Sequence, residues 1–184
     1  MLNIYNSLLK KYGKQNWWPC ITENKQLEIC LGAILTQNTS WNNVEKVIKL
    51  LNEKNLIDKE KLSKIQLRKL SSLIKSSGYH NQKAKKIKEF IKFLNSNNDI
   101  TRENLLNIWG IGQETADSIL LYAYNKPYFV IDDYTKGIMH KLGYCKENIS
   151  YEELQNLITK NIPEDVNLYK EFHALLVQEG KSLK

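Results

Sequence analysis

The chain has 184 residues, 42% of them apolar and 26% charged, which argues against disorder and leaves room for one compact domain or two small lobes. Its formal net charge of +7 suits a polyanionic partner, although a Lys- and Asn-rich composition produces the same excess without one. No run of about 18 apolar residues is present and the opening MLNIYNSLLKKYGK lacks the apolar core of a secretory signal, so the expectation is a protein of the cytoplasm with no membrane span.

In chain order, the apolar spacing is mostly helical. Trp41, Val44, Val47, Ile48 and Leu51 recur at three and four residues, and residues 38–40 are placed to cap that helix. Residues 54–64 read as a charged connection. Ile87, Phe90, Ile91 and Leu94 form the next stripe, followed by a polar loop over residues 95–99. Thr101, with Asn104 three positions later, opens a short helix running to Ile108. Ala116, Ile119, Leu120 and Ala123 continue the pattern, as do Leu154, Leu157, Ile158 and Ile162. Asp165 caps a last helix carrying Phe172, Leu175 and Leu176. The best strand candidate, Tyr128-Phe129-Val130-Ile131, is short, follows Pro127 and ends at two aspartates, so it reads as an extended connector. The predicted class is all-α.

The strongest local signal is Trp109-Gly110-Ile111-Gly112, a Gly-x-Gly turn between two helices. Glycines permit backbone angles that other residues resist and let a large partner approach the main chain. The helix that follows exposes N–H groups suited to an anion such as a DNA phosphate. Further on, Val130-Ile131-Asp132-Asp133 puts carboxylates after an apolar run and at a helix start, where the dipole favours ionisation. There Asp133 reads as the helix cap. An ionised carboxylate at this place, Asp132 or Asp133, is able to cap the helix, to steady positive charge or to orient water. Cys20, Cys30 and Cys145 are too few for an iron–sulfur cluster, and His80, His140 and His173 share no ligand spacing, so no metal site is predicted.

From residue 16 to residue 181 the sequence resembles the endonuclease III superfamily, the helix-hairpin-helix DNA glycosylases. Five blocks in the family's order carry the likeness: Gly32-Ala33-Ile34-Leu35-Thr36-Gln37-Asn38-Thr39, Gly78-Tyr79-His80-Asn81-Gln82-Lys83-Ala84, the hairpin, Val130-Ile131-Asp132, and Phe172-His173-Ala174-Leu175-Leu176-Val177 with Gly180-Lys181. The resemblance implies that Asp132 is catalytic and that Gln37 and Tyr79 wedge the DNA. It further implies that Gly110, Ile111 and Gly112 meet the backbone. Trp109 stands where proline is usual. Lys83, with Lys85, Lys86 and Lys88, follows the second wedge, and these are candidates for phosphate contact. Bifunctional members carry a lysine nucleophile two residues past the second hairpin glycine. Glu114 occupies that position, so a monofunctional enzyme leaving an abasic site is implied. The chain stops at Lys184, where cluster-bearing members begin their cysteine loop, and no cluster is expected.

Trp17-Trp18-Pro19, Trp41 after the glutamine block, and Gly112-Gln113-Glu114 are most similar to the cluster-free bacterial 3-methyladenine glycosylases of this fold. That likeness implies a base pocket drawn from Trp17, Trp18, Pro19, Trp41 and Glu114. A methylated purine is cationic, and ring faces hold a cation by roughly 0.5–2 kcal/mol per contact. The expected architecture is two-lobed and endonuclease III-like. Residues 20–127 form a six-helix lobe with the hairpin at 101–124, and residues 1–19 with 128–184 form the second lobe carrying Asp132. The expected partner is duplex DNA with a damaged base, with no membrane and no cofactor, the resemblance allowing at most a monovalent cation at the hairpin, and the protein is expected to be a nucleoid-associated monomer. The rival readings are another lesion (oxidised guanine, mispaired thymine or uracil), a DNA-binding module without catalysis, and a helical interaction protein.

Overall fold

The computed structural model describes residues 1–96 and 98–183. Asn97, inside the loop expected over 95–99, and Lys184 lie outside the described residues. The chain divides into two compact units, Cys20–Tyr124 and Met1–Pro19 with Asn125–Lys184. Among the described residues the regular structure is helical, with no strand.

The unit Cys20–Tyr124 is built around helix α2 (Lys25–Leu35), whose residues from Leu27 to Leu35 are all buried. Apart from Glu28, whose carboxylate accepts the Ile21 and Thr22 N–H groups, that run is apolar or small, which suits a helix in a core, and α3, α6 and α8 pack around it. Helix α3 (Trp41–Glu53) buries Val44, Val47, Ile48 and Leu51, the stripe read from the sequence. Residues 54–64 are not simply a connection. Asp58 accepts a hydrogen bond from the Lys61 N–H and caps a short helix α4 (Lys59–Lys64), which sinks Leu62 into the core. Helix α5 (Leu67–Leu73) and a 3₁₀ turn (Lys75–Ser77) lead to α6 (His80–Asn95), which buries Ala84, Ile87, Phe90 and Ile91. Thr101 caps α7 (Arg102–Leu106) through the Asn104 N–H, as the sequence indicates. After the hairpin, α8 (Gln113–Ser118) widens into a π-helical turn (Ile119–Ala123) of five consecutive buried residues. The Arg102 guanidinium grips the wholly buried Asp117 carboxylate, tying α7 to α8 across the hairpin.

The other unit holds α1 (Leu2–Tyr12), α9 (Asp133–Lys141), α10 (Tyr151–Thr159) and α11 (Val166–Ser182). Residues 125–132 form a connector without regular secondary structure, which turns at Asn125 and is extended at Asp132. Its Phe129 ring is buried edge-on against Tyr169 and Phe172 of α11, at 5.4 and 5.6 Å between centroids. The connector's backbone is held by α10: the Gln155 amide donates to Phe129 O at 2.7 Å, and the Ile131 N–H donates to the Tyr151 hydroxyl at 3.3 Å. Ser150 and Glu153 start α10 with a capping box. The helix stops at Thr159, and the buried Ile162 lies beyond it because Pro163 disfavours helical geometry in the residue before it. Asp165 caps α11 as expected. Helices α9 and α11 cross closely at Gly180, where an added Cβ would lie 2.4 Å from Tyr134 Cδ1.

Candidate functional site

Asp132 is the N-cap of α9, with its Oδ1 accepting the Thr135 N–H at 2.8 Å. The sequence reading gave that capping role to Asp133. Asp133 instead is the first helical residue and is exposed, because the β-region geometry a cap requires falls at position 132. Asp132 Oδ2 lies 3.7 Å from Nε2 of His173, and both side chains are largely buried. Burial by itself raises the Asp132 carboxyl. The His173 ring and the Thr135 N–H outweigh it and hold the group below the usual carboxylate range. The result is a sequestered, persistent anion at a helix N-terminus, with one oxygen used for capping. His173 was missed as a site residue. It lies in a block quoted for its likeness, but histidine spacing carries no signal when the partner is a carboxylate on another helix.

In the same unit, residues 13–19 form an irregular loop after α1. Glu171 of α11 accepts the Gln15 N–H at 2.5 Å, and the Gln15 amide turns back to Tyr12 O and Gly13 O. The Tyr12 hydroxyl and the Lys11 ammonium both reach Glu179 Oε2 at 2.7 Å, which fastens α1 to α11. The loop carries Trp17 and Trp18, half-buried with ring centroids 5.3 Å apart and planes inclined by 48°, and the exposed Pro19. Two adjacent indoles and a proline thus share one anchored segment.

In the unit Cys20–Tyr124 the hairpin is closed by the Ile111 N–H donating to Ile108 O at 3.0 Å. Only one of its glycines uses glycine's freedom. Gly110 sits at φ 82°, whereas Gly112, the N-cap of α8, has φ −93° and extended backbone. Gly110 also lies under the stem of Lys86, whose Cε would stand 2.6 Å from an added Cβ. Gln37, just past the end of α2, is tied to this turn. Its amide nitrogen donates to Gly110 O at 3.2 Å and to Thr115 Oγ1 at 2.8 Å, and its oxygen accepts from Lys86 Nζ at 2.5 Å. Gln37 and the hairpin, far apart in sequence, therefore form one hydrogen-bonded unit. Trp109 is 54% exposed at the hairpin tip and Tyr79 is 69% exposed in a left-handed turn before α6. Trp41 is half-buried at the start of α3, and Glu114 is exposed in the first turn of α8.

The lysines after the second wedge require a correction. Lys83 is 2% exposed, and its ammonium donates to Leu35 O at 2.8 Å and Ser77 O at 2.6 Å. It cannot meet a phosphate, because its charge is enclosed and its donors go to the protein's own carbonyls. Burial, and then the neighbouring Lys86, push its pKa down to about 8. Lys88 is spent in a similar way on Leu62 O, Ser63 O and Ile65 O, and Lys86 on Gln37. Of the four, Lys85 is the one on the exposed face.

Among the described residues no three His, Cys, Asp or Glu side chains converge as metal ligands. Cys20, Cys30 and Cys145 are free thiols, with Cys30 buried. No helix among the described residues is long and apolar enough to cross a membrane.

Residues 31–164 match the family model of the HhH-GPD superfamily of base excision DNA repair proteins. A Methanocaldococcus jannaschii protein that bears the name of a DNA repair glycosylase is 44% identical over 97% of this chain and 86% of its own length. Endonuclease III of Thermotoga maritima is 30% identical over 88% of this chain and 76% of its own. The crystal structure of the 3-methyladenine DNA glycosylase of H. pylori, bound to 1,N6-ethenoadenine, superposes with a TM-score of 0.85 at 31% identity, covering 100% of this chain and 96% of that one. The chain belongs to the HhH-GPD superfamily, the helix-hairpin-helix DNA glycosylases of the endonuclease III fold.

Proposed function

We propose that this glycosylase is monofunctional, that it hydrolyses the N-glycosidic bond of an alkylated purine flipped out of duplex DNA, and that 3-methyladenine is its main substrate. The observation that carries the reading is the Asp132 carboxylate, which accepts the Thr135 N–H, faces His173 and is kept ionised. The likeness to the H. pylori enzyme supports a purine substrate. That enzyme is named for 3-methyladenine and was solved with an ethenoadenine.

In this reading Trp17, Trp18 and Pro19, which share one anchored loop, contact the base. Indole faces attract the cationic ring of a methylated purine. Gln37 and Tyr79 enter the duplex, and the main chain of Gly110, Ile111 and Gly112 meets phosphate. The bond from C1′ to the base breaks, and its electron pair leaves with the base. Positive charge then develops on the sugar. A carboxylate held below its usual pKa is a weak base but a constant anion, so Asp132 acts chiefly by stabilising that charge. Water adds to C1′ and loses a proton, leaving an abasic site. Glu114, at the place where bifunctional members carry lysine, has no amine to form a Schiff base, so the strand stays intact.

Incubation with methylated duplex DNA and chromatography of the released bases tests this. The expected result is free 3-methyladenine, with strand cuts only after alkali. Absence of any free base refutes the enzyme reading. Release of oxidised guanine, thymine or uracil in its place refutes the substrate, and cuts without alkali refute the monofunctional assignment.

A further inference from the structure

Among the described residues Lys83 is the one lysine that is almost wholly buried while its ammonium bonds two separate stretches of main chain. The first, Leu35 O, is a carbonyl of the last turn of α2, among those a helix cannot satisfy for itself. Gln37 follows two residues later. The second, Ser77 O, ends the 3₁₀ turn, and Tyr79 follows two residues later. Lys83 also holds the Tyr79 turn from its other end, since its own N–H donates to Tyr79 O at 3.0 Å as the first hydrogen bond of α6. The turn itself is shaped by two consecutive positive φ angles, 68° at Gly78 and 45° at Tyr79. Tyrosine resists that region, so the surroundings must hold it there.

We infer that Lys83 is a positioning residue that sets the spacing between Gln37 and Tyr79. Bonds of 2.8 and 2.6 Å from one nitrogen leave the two carbonyls no room to separate without breaking one. A cation at the C-terminus of α2 is also favoured by the helix dipole, which helps keep it buried. The second tether comes from Lys86, which fixes Gln37 against the hairpin. The inference rests on the reading above, in which Gln37 and Tyr79 both enter the duplex. Stacked bases on one strand are separated by about 3.4 Å, so two wedges serve one flipped nucleotide only if their separation is held to a fraction of that step.

The test compares release of 3-methyladenine under single-turnover conditions from a fully paired duplex and from the same lesion in an unpaired bulge. Lys83→Met keeps the stem and removes the ammonium. A misplacement of about 1 Å costs roughly 100-fold. The expected result is a loss of that order on the paired duplex and of less than about threefold on the bulge, where the base need not be forced out. In a Tyr79→Ala background the added penalty of Lys83→Met on the duplex should shrink to less than about threefold, because the pair acts as one device. Equal losses on both substrates, or full additivity with Tyr79→Ala, overturn the inference and reduce Lys83 to a stabilising residue. Should Lys83→Met not fold by circular dichroism, Lys83→Gln and Lys83→Arg carry the same comparison of the two substrates, with the same outcomes decisive. Absence of release by the unmodified protein from either substrate refutes the proposed function itself, which separates that failure from this one.

Discussion

In the unit Met1–Pro19 with Asn125–Lys184 the buried charge that matters is negative and sits at a helix N-terminus. In the unit Cys20–Tyr124 it is positive and sits at a helix C-terminus. Asp132 caps α9 and Lys83 caps α2, each on the side its helix dipole favours. The difference lies in what remains after capping. Asp132 uses one oxygen on Thr135 and keeps the second beside His173. Lys83 sends its charge into two carbonyls of the main chain. A buried charge with an oxygen to spare suits chemistry, whereas one consumed by backbone suits geometry. The contrast also explains why basic residues after the Tyr79 turn make a poor guide to the DNA surface.

The largest effect that tests this contrast is expected at Asp132. Asp132→Asn keeps an oxygen able to cap α9 but removes the anion. Base release should fall by about 1,000-fold or more while affinity for lesion DNA changes by less than about threefold, measured by single-turnover kinetics and fluorescence anisotropy. Retained activity would show that the anion is not the engine. Next comes the support beneath it. Gly180→Ala pushes a methyl group into Tyr134 where α9 crosses α11, and should destabilise the protein by about 1–3 kcal/mol in urea unfolding. An unchanged midpoint would mean that the crossing can relax.

The charge itself can be tested through pH. The folded-state pKa of Asp132 lies below the ordinary value of about 3.9, so its contribution to stability is present above that value and is lost as pH falls through the depressed folded one. The stability advantage of the natural protein over Asp132→Asn should therefore hold at about pH 6 and shrink progressively as the pH falls below the ordinary carboxylate value of about 3.9. A pH-independent difference would contradict the assignment. The smallest effect is expected at Lys85, the exposed member of its run. Lys85→Ala should lower the slope of log K against log salt by about one for duplex DNA. An equal change from Lys88→Ala would mean that the carbonyl contacts of Lys88 yield to phosphate.

Much of the framework was legible because it depends on neighbours in the chain. The stripes of α3 and α6, the caps at Thr101 and Asp165, the connector before Asp132 and the Gly110 turn all follow from a few residues of local context. The exceptions are instructive. Residues 59–64 read as a charged connection, yet one cap at Asp58 and one buried leucine make them a helix. The capping role fell to Asp132 and not to Asp133, because the two carboxylates differ only in the backbone angle at which the chain enters α9.

By itself, then, the sequence determined the helical class, the buried stripes of α3 and α6 and the place of the Gly-x-Gly turn, since periodicity and turn chemistry act over a few residues, while the identity of that turn as a DNA-binding hairpin came from the family resemblance. Only the tertiary structure decided the environment of each charge: that His173 faces Asp132, that Gln37 is tied to Gly110 and Thr115, and that Lys83 is buried between two carbonyls. The reason is physical. Whether a lysine meets water, phosphate or backbone depends on which distant segment packs against it, and desolvation has no signature in the local order of residues.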